Sequence, residues 1–147
     1  MARCAILLRG INIGPHNRIP MAELRALLTQ DGFGDVTTHL QSGNVALSHT
    51  GSPEAAARRC EVLIKERFGL EIRSVVRTHA ELEAVVSGDP LPEAAAIPKG
   101  YQVTFLEAAA DPGIVARLAL LLSGPGLKVT ATARDWTTVT ALLSMTG

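Results

Sequence analysis

Residues 4–20 decide the fold. They read Cys4-Ala5-Ile6-Leu7-Leu8, then Arg9-Gly10-Ile11-Asn12-Ile13-Gly14-Pro15-His16-Asn17-Arg18-Ile19-Pro20. Five consecutive apolar residues are typical of a strand that is buried on both faces. The polar, glycine-bearing stretch after them predicts a loop, and Pro20 suits the first turn of a helix. A strand-loop-helix junction can offer backbone N–H groups to an anion, so this loop is the first candidate for a binding site.

The composition limits the class of protein. The chain has 147 residues, 47% of them hydrophobic, which suffices for one ordinary domain or two very small ones. Lys plus Arg (14) balance Asp plus Glu (14), so no overall charge attracts nucleic acid or an anionic membrane. We find neither a signal-like apolar run nor a segment near the roughly 20 residues of a membrane span. With Cys4 and Cys60 expected to be buried free thiols, these features favour a cytoplasmic protein.

Periodicity predicts the elements of the first half. Apolar residues at helical spacing follow Pro20 as far as Asp31-Gly32. Alternation predicts strands at 36–41, with Leu40 on one of its faces, and at 44–48, joined as a hairpin by two residues. The remaining elements are a helix from 53 to 68 with Ser52 as N-cap and Gly69 as its stop, a strand at 70–77, and a short helix that begins at Thr78.

The resulting order, βαββαβ, is that of a ferredoxin-like split βαβ unit. In that arrangement strands 1 and 2 run parallel, with strand 3 between them and antiparallel to both. The end of strand 1 is therefore next to the hairpin of strands 2 and 3. We expect residues 9–18 and 41–44, which are far apart in sequence, to form one polar surface.

The second half follows a proline-containing connector at 88–100. A strand is predicted at 101–106, and Asp111 and Pro112 begin a helix that runs to Ser123. This helix is apolar around most of its circumference, so it needs cover on more than one side. Strand 1 is apolar on both faces and also needs cover on both sides. A split βαβ unit covers only one face of its sheet. We expect the second half to pack on the open face, or two chains to pair.

Four stretches of this sequence resemble one bacterial family, that of domain of unknown function 1697. They are Leu8-Arg9-Gly10-Ile11-Asn12-Ile13-Gly14, Ile19-Pro20-Met21-Ala22-Glu23-Leu24-Arg25, Gln41-Ser42-Gly43-Asn44-Val45 and Ala133-Arg134-Asp135-Trp136-Thr137-Thr138-Val139-Thr140. The resemblance implies a fold of two ferredoxin-like halves and no known activity. Pro15 and His16 stand where the family usually has glycine and lysine, and a strand pair with its glycine- and arginine-containing loop is absent after residue 124. We therefore predict an α+β chain with a ferredoxin-like half at 1–87, a connector at 88–100 and a shortened α+β half at 101–147.

Several chemical classes lack support in the sequence. The loop glycines give neither GxGxxG nor GxxxxGK[ST], and neither CxxC nor HExxH occurs, so we assign no cofactor. The four histidines show no ligand spacing, so we assign no metal. Ser42 lacks the GxSxG context of a nucleophile, and we assign no catalytic residue. Strands 1 and 3 contain no aromatic residue, which argues against sequence-specific RNA binding.

Two functional interpretations remain. In the first, the loop end binds a small anion or a nucleotide phosphate; its candidate ligand residues are Arg9, Asn12, Asn17, Arg18, Gln41, Ser42, Asn44, Arg134 and Trp136. In the second, the chain is a non-catalytic structural or protein-interaction unit, the same residues order loops, and Trp136 is a packing anchor rather than a stacking platform. Because the leucines of 111–123 lack the strands that relatives pack on them, we also predict a homodimer through the second half.

Overall fold

The computed structural model describes residues 1–109 and 131–147. Its regular elements follow in this order: β1 Ala2–Leu8, α1 Met21–Gln30, β2 Gly34–His39, β3 Asn44–His49, α2 Pro53–Phe68, β4 Ser74–Thr78, α3 His79–Ser87, β5 Gln102–Leu106, β6 Ala131–Asp135 and α4 Trp136–Thr146. A short 3-10 turn, Ala94–Ala96, lies in the connector. No helix among the described residues is long and apolar enough to cross a membrane.

The first four strands form one antiparallel sheet in the order β2-β3-β1-β4. This arrangement confirms the α+β class and the split βαβ topology, with β3 between β1 and β2. In register, Leu7 of β1 lies opposite Asn44 on one side and Val75 on the other. The strands β5 and β6 form a separate two-stranded antiparallel sheet.

Two predicted strand boundaries were wrong. The strand β2 ends at His39, and four residues, 40–43, connect it to β3 instead of two. Leu40 adopts φ 61°, a left-handed conformation that cannot continue a strand, so its side chain lies in the turn instead of on a strand face. The strand β4 begins at Ser74 instead of Leu70 because Ser74 already pairs with Leu8, the last residue of β1.

The predicted helix caps are confirmed. Ser52 Oγ accepts the Ala55 N–H at 3.1 Å, and Gly69 ends the helix with φ 69°. The helix α3 begins at His79, one residue later than predicted, because Thr78 is its N-cap and forms a capping box with Glu81. Satisfied N-terminal N–H groups of this kind stabilise a helix by about 1 kcal/mol.

The alternation of β1 between two faces builds two cores. Cys4, Ile6 and Leu8 pack under α1 and α2, together with residues such as Leu24 and Ile64. Ala5 and Leu7 point the other way, into a core that the second half completes; its other buried members are Val75, Leu82, Phe105, Val139 and Leu142. The second half therefore covers the open face, as expected. The helix predicted at 111–123 lies outside the described residues, so the homodimer stays a prediction.

Both cysteines are free and buried, as the sequence predicts. Burial raises the pKa of the Cys4 thiol and that of the Cys60 thiol from 9.0 to about 12. The thiolate is the reactive form of cysteine, so burial together with the raised pKa disfavours reaction of either group in the folded chain.

We expect the folded protein to resist iodoacetamide at pH 8, and raising the pH to 9 should change this little because both pKa values remain far above it. In guanidinium chloride both thiols should be alkylated, as mass spectrometry would show by two added groups. Alkylation of either thiol within minutes in the native state would contradict the burial described here.

Candidate functional site

The two polar loops meet at one end of the sheet, as the topology predicts. We call this region, residues 9–20 and 40–43, the loop end. Asn12 Nδ2 donates to the carbonyl of Gln41 at 2.7 Å and so joins the loops directly. The Leu8 N–H donates to the carbonyl of Gly43 at 2.8 Å and fixes the second loop against the end of β1.

Two asparagines shape the first loop from within. The Asn12 amide bonds both backbone groups of Ile19, at 2.9 Å each, and Asn17 Nδ2 donates to the Gly10 carbonyl at 3.0 Å. Both residues have positive φ, 52° and 49°, a conformation that asparagine tolerates better than most residues. Both side-chain amides therefore bond groups of the chain itself, although Asn17 is exposed, and their effect is to hold the loop in one shape.

Gly43 allows the two loops to pack closely. Its φ is 84°, and a Cβ at this position would lie 2.6 Å from Ile11 Cδ1 and 2.8 Å from Leu8 Cβ. Both distances are below van der Waals contact. Only glycine satisfies the backbone angle and the close approach together.

Gly43→Ala should destabilise the fold by about 2 kcal/mol or more, since it adds the left-handed penalty of about 1–2 kcal/mol to a steric clash. Gly51→Ala is the matched control, because Gly51 has φ 79° but an added Cβ there would meet nothing within 4 Å. Urea unfolding of both variants separates the two effects. Equal losses would show that Ile11 and Leu8 move aside without penalty.

Arg134 is the buried cation of the loop end. It is 8% exposed, and its guanidinium makes five donor contacts: Nε to Asn44 Oδ1, Nη1 to Thr132 Oγ1 and the Ala133 carbonyl, and Nη2 to the carbonyls of Leu8 and Ser42. Burial lowers its pKa to about 10, so it still carries a proton at neutral pH. Among residues 1–109 and 131–147 it has no carboxylate partner.

Asn44 connects Arg134 to the hairpin. It is fully buried, and its Nδ2 donates to the His39 carbonyl at 2.8 Å and to Ser42 Oγ at 3.0 Å. Its Oδ1 accepts from Arg134. The structure thus places Asn44 and Arg134 inside the protein, beneath the surface that the loops present.

Arg134→Met retains the apolar stem but leaves several buried oxygens without donors. We expect a loss of about 3 kcal/mol of unfolding free energy, because each such oxygen costs about 1–3 kcal/mol and the relief of desolvating the cation offsets only part of this. Arg9→Met, at an exposed site, should change stability by less than about 0.5 kcal/mol. Chemical denaturation of the pair provides the measurement, and a small effect at Arg134 would contradict an anchoring role.

The exposed polar residues of the loop end include His16, Asn17 and Ser42 and also the three candidate donors Arg9, Arg18 and Gln41. None of the three side chains makes a hydrogen bond or ion pair with the part of the chain that the structure describes. Arg9 precedes Gly10, and Arg18 follows Asn17. The hydrogen bond from the Asn17 side chain to the Gly10 carbonyl therefore brings the backbones of the two arginines close to each other. Residues 9–20 and 39–45 contain no Asp or Glu. The two loops themselves therefore contribute donors and positive charge but no carboxylate.

Trp136 is buried, and its ring stacks on that of Tyr101 with 5.0 Å between centroids and 16° between planes. Its backbone N–H donates to the Tyr101 carbonyl at 2.8 Å. The indole already has an aromatic partner within the chain, an arrangement that fits the packing interpretation.

Sequence reasoning missed a second polar cluster, beside a cleft of about 370 Å³ between α2 and residues 71–73, which precede β4. Glu61 accepts the N–H of Ser74 at 2.7 Å and its hydroxyl at 2.8 Å, and it pairs with Arg58 at 3.0 Å. Charges of both signs alternate here, so this cleft suits an anion less well than the loop end. No sequence signal identified it, because the pairing depends on how α2 packs on the sheet.

His49 was also missed. It is 2% exposed, lines a cleft of about 230 Å³, and neither ring nitrogen has a hydrogen-bond partner among the described residues. The strand alternation contains the signal, since His49 has the same parity as the buried Val45 and Leu47. Among the described residues, His49 included, no three His, Cys, Asp or Glu side chains lie close enough together to bind a metal ion.

Comparison with known proteins gives a family and a fold. A family model described as "Protein of unknown function (DUF1697)" matches residues 1–126, a range that ends before Ala133–Thr140. A solved structure of the conserved bacterial protein SP0830 from Streptococcus pneumoniae superposes with a TM-score of 0.68 at 20% identity, over 99% of this chain and 98% of that chain. At this identity the similarity shows the fold alone. Among curated proteins, none matches the chain significantly.

Proposed function

The chain belongs to the DUF1697 family of proteins of unknown function, and from this premise we propose that its loop end is a non-catalytic binding site for a small anion, best represented by the phosphate of a nucleotide. The family description names no activity, so the proposal depends on the chemistry of the site. A cytoplasmic location is part of it, because buried free thiols are typical of a reducing compartment.

The observation that carries the proposal is a group of three arginines, none of which forms an ion pair with the part of the chain that the structure describes. Arg9 and Arg18 flank the Gly10–Asn17 contact at the surface, and Arg134 lies beneath it, bonded to the carbonyls of Leu8 and Ser42. The exposed arginines elsewhere on the chain are mostly paired, for example Arg59 with Asp31 and Arg67 with Glu23. In a chain whose formal net charge is zero, a local excess of positive charge supports the binding of an anion.

The residues divide into two groups under this proposal. Arg9, Arg18 and Gln41 contact the ligand, because their donors are exposed; a guanidinium can hold a phosphate through two parallel hydrogen bonds. The other candidate residues act indirectly. Asn12, Asn17, Ser42 and Asn44 order the two loops through hydrogen bonds within the chain, Arg134 adds a buried positive charge, and Trp136 packs on Tyr101. The charge on Arg134 is screened less than the surface charges, since the residue is buried.

The alternative is a structural or protein-interaction unit without a small ligand. The internal hydrogen bonds of Asn12 and Asn17 favour it, because they account for both side chains without any ligand. The two interpretations differ in what they require of Arg9. A ligand site needs its cation, whereas an ordered loop requires only the backbone contact of its N–H with the Arg73 carbonyl at 2.9 Å.

Arg9→Ala should abolish stabilisation of the protein by phosphate-bearing compounds while leaving the melting temperature of the free protein within a few degrees. At a ligand concentration of 100 Kd the unmutated chain should gain about 2.7 kcal/mol, which thermal unfolding readily detects. Arg67→Ala, another exposed arginine, is the control and should respond like the unmutated chain. Undiminished stabilisation of the Arg9 variant, or none in any protein, would contradict the proposal.

A further inference from the structure

Leu40 combines two unfavourable features at one position. Its φ of 61° is left-handed, a conformation that is strained for a residue with a branched side chain. Its side chain is 59% exposed, although leucine is among the most readily buried residues. Asparagine or glycine would relieve both, so folding stability alone does not explain a leucine here.

Ile13 is a second exposed apolar residue of the loop end, at 67%. The hydrogen bond between Asn12 and Gln41 joins the two loops, and Ile13 and Leu40 are each next in sequence to one member of that pair. The internal bonds of Asn12 and Asn17 hold the first loop in position. Two apolar side chains are thus presented on an ordered surface that also carries Arg9 and Arg18.

We infer that the ligand of the loop end is a phosphate ester with an apolar, planar organic part, of the nucleoside phosphate or aryl phosphate class, whose organic part lies against Leu40 and Ile13 while its phosphate is bound by Arg9 and Arg18. This inference rests on the proposed function and specifies its ligand. An inorganic anion would leave the strained, exposed leucine without a role, and charge complementarity requires the ligand to be anionic.

The size of the apolar surface selects a small molecule over a macromolecule. A stable protein–protein interface buries roughly 800 Å² on each partner, far more than two side chains supply. Binding of single-stranded nucleic acid uses aromatic side chains on which successive bases stack, and the loop end, residues 9–20 and 40–43, contains none. Two aliphatic side chains can instead contact the single organic group of a small ligand.

The test compares two probes, inorganic phosphate and phenyl phosphate, by calorimetric titration of the full chain. The unmutated protein should bind phenyl phosphate about tenfold more tightly, the gain expected when part of a leucine side chain is buried. Leu40→Asn should lose this gain and keep its affinity for inorganic phosphate. It should also melt at a higher temperature, because asparagine tolerates the left-handed conformation.

Leu91→Asn is the control, since Leu91 is 58% exposed and does not have positive φ; it should bind both probes as the unmutated chain does. Ile13→Ser provides a second variant if Leu40→Asn fails to fold, and should also lose affinity for phenyl phosphate alone. Equal affinity for the two probes, or an unchanged preference in both variants, would overturn the inference while leaving the proposed function intact. Binding of neither probe would overturn both.

Discussion

The guanidinium of Arg134 ties the two halves of the chain together. Its donors connect β6 to the last residue of β1, to the hairpin through Ser42, and to the buried Asn44. A lysine could not do this, because one ammonium presents three donors from a single atom, whereas the guanidinium spreads five over a rigid plane. Since burial lowers the pKa only to about 10, the same contact places a positive charge beneath the loops. The anchor that orders the loop end therefore also adds a positive charge to it.

The central strand makes such an anchor necessary. Because β1 is apolar on both faces, α1 and α2 can bury only Cys4, Ile6 and Leu8, and the opposite face requires the second half of the chain. Val139 and Leu142 of α4 meet Ala5 and Leu7 there. Arg134 lies just before this helix, and the capping contact of Asp135 with the Thr138 N–H at 2.8 Å fixes where the helix begins. Hydrophobic burial drives the docking, and the hydrogen bonds of Arg134 specify its position.

Rigidity at the loop end has a consequence for binding. Asn12 and Asn17 engage their amides internally, and Gly43 permits a contact with Ile11 that no other residue would allow. Loops that are already ordered lose little conformational entropy when a ligand arrives. In the proposed site, the exposed arginines and the apolar pair Ile13 and Leu40 would contact the ligand from a fixed surface. The strain at Leu40 is tolerated because the rest of the loop end, which is internally bonded, determines its backbone angle.

The sequence by itself determined the element order of the first half, the caps at Ser52 and Gly69, the burial of both cysteines and the meeting of the two loops, because these follow from local periodicity and from the handedness of crossovers. It did not predict β6 or α4, which the structure places at Ala131–Asp135 and Trp136–Thr146. It left the roles of the polar residues open. Whether Asn12 and Asn44 bind a ligand or other groups of the chain depends on contacts such as Asn12 with Gln41 and Asn44 with Arg134, which are 29 and 90 residues apart. Leu40 shows the same limit, since alternation assigned it to a strand and the turn gave it a positive φ. Local patterns specify secondary structure, but the pairing of polar groups is a property of the packed chain, so only the tertiary structure decided which arginines remain exposed.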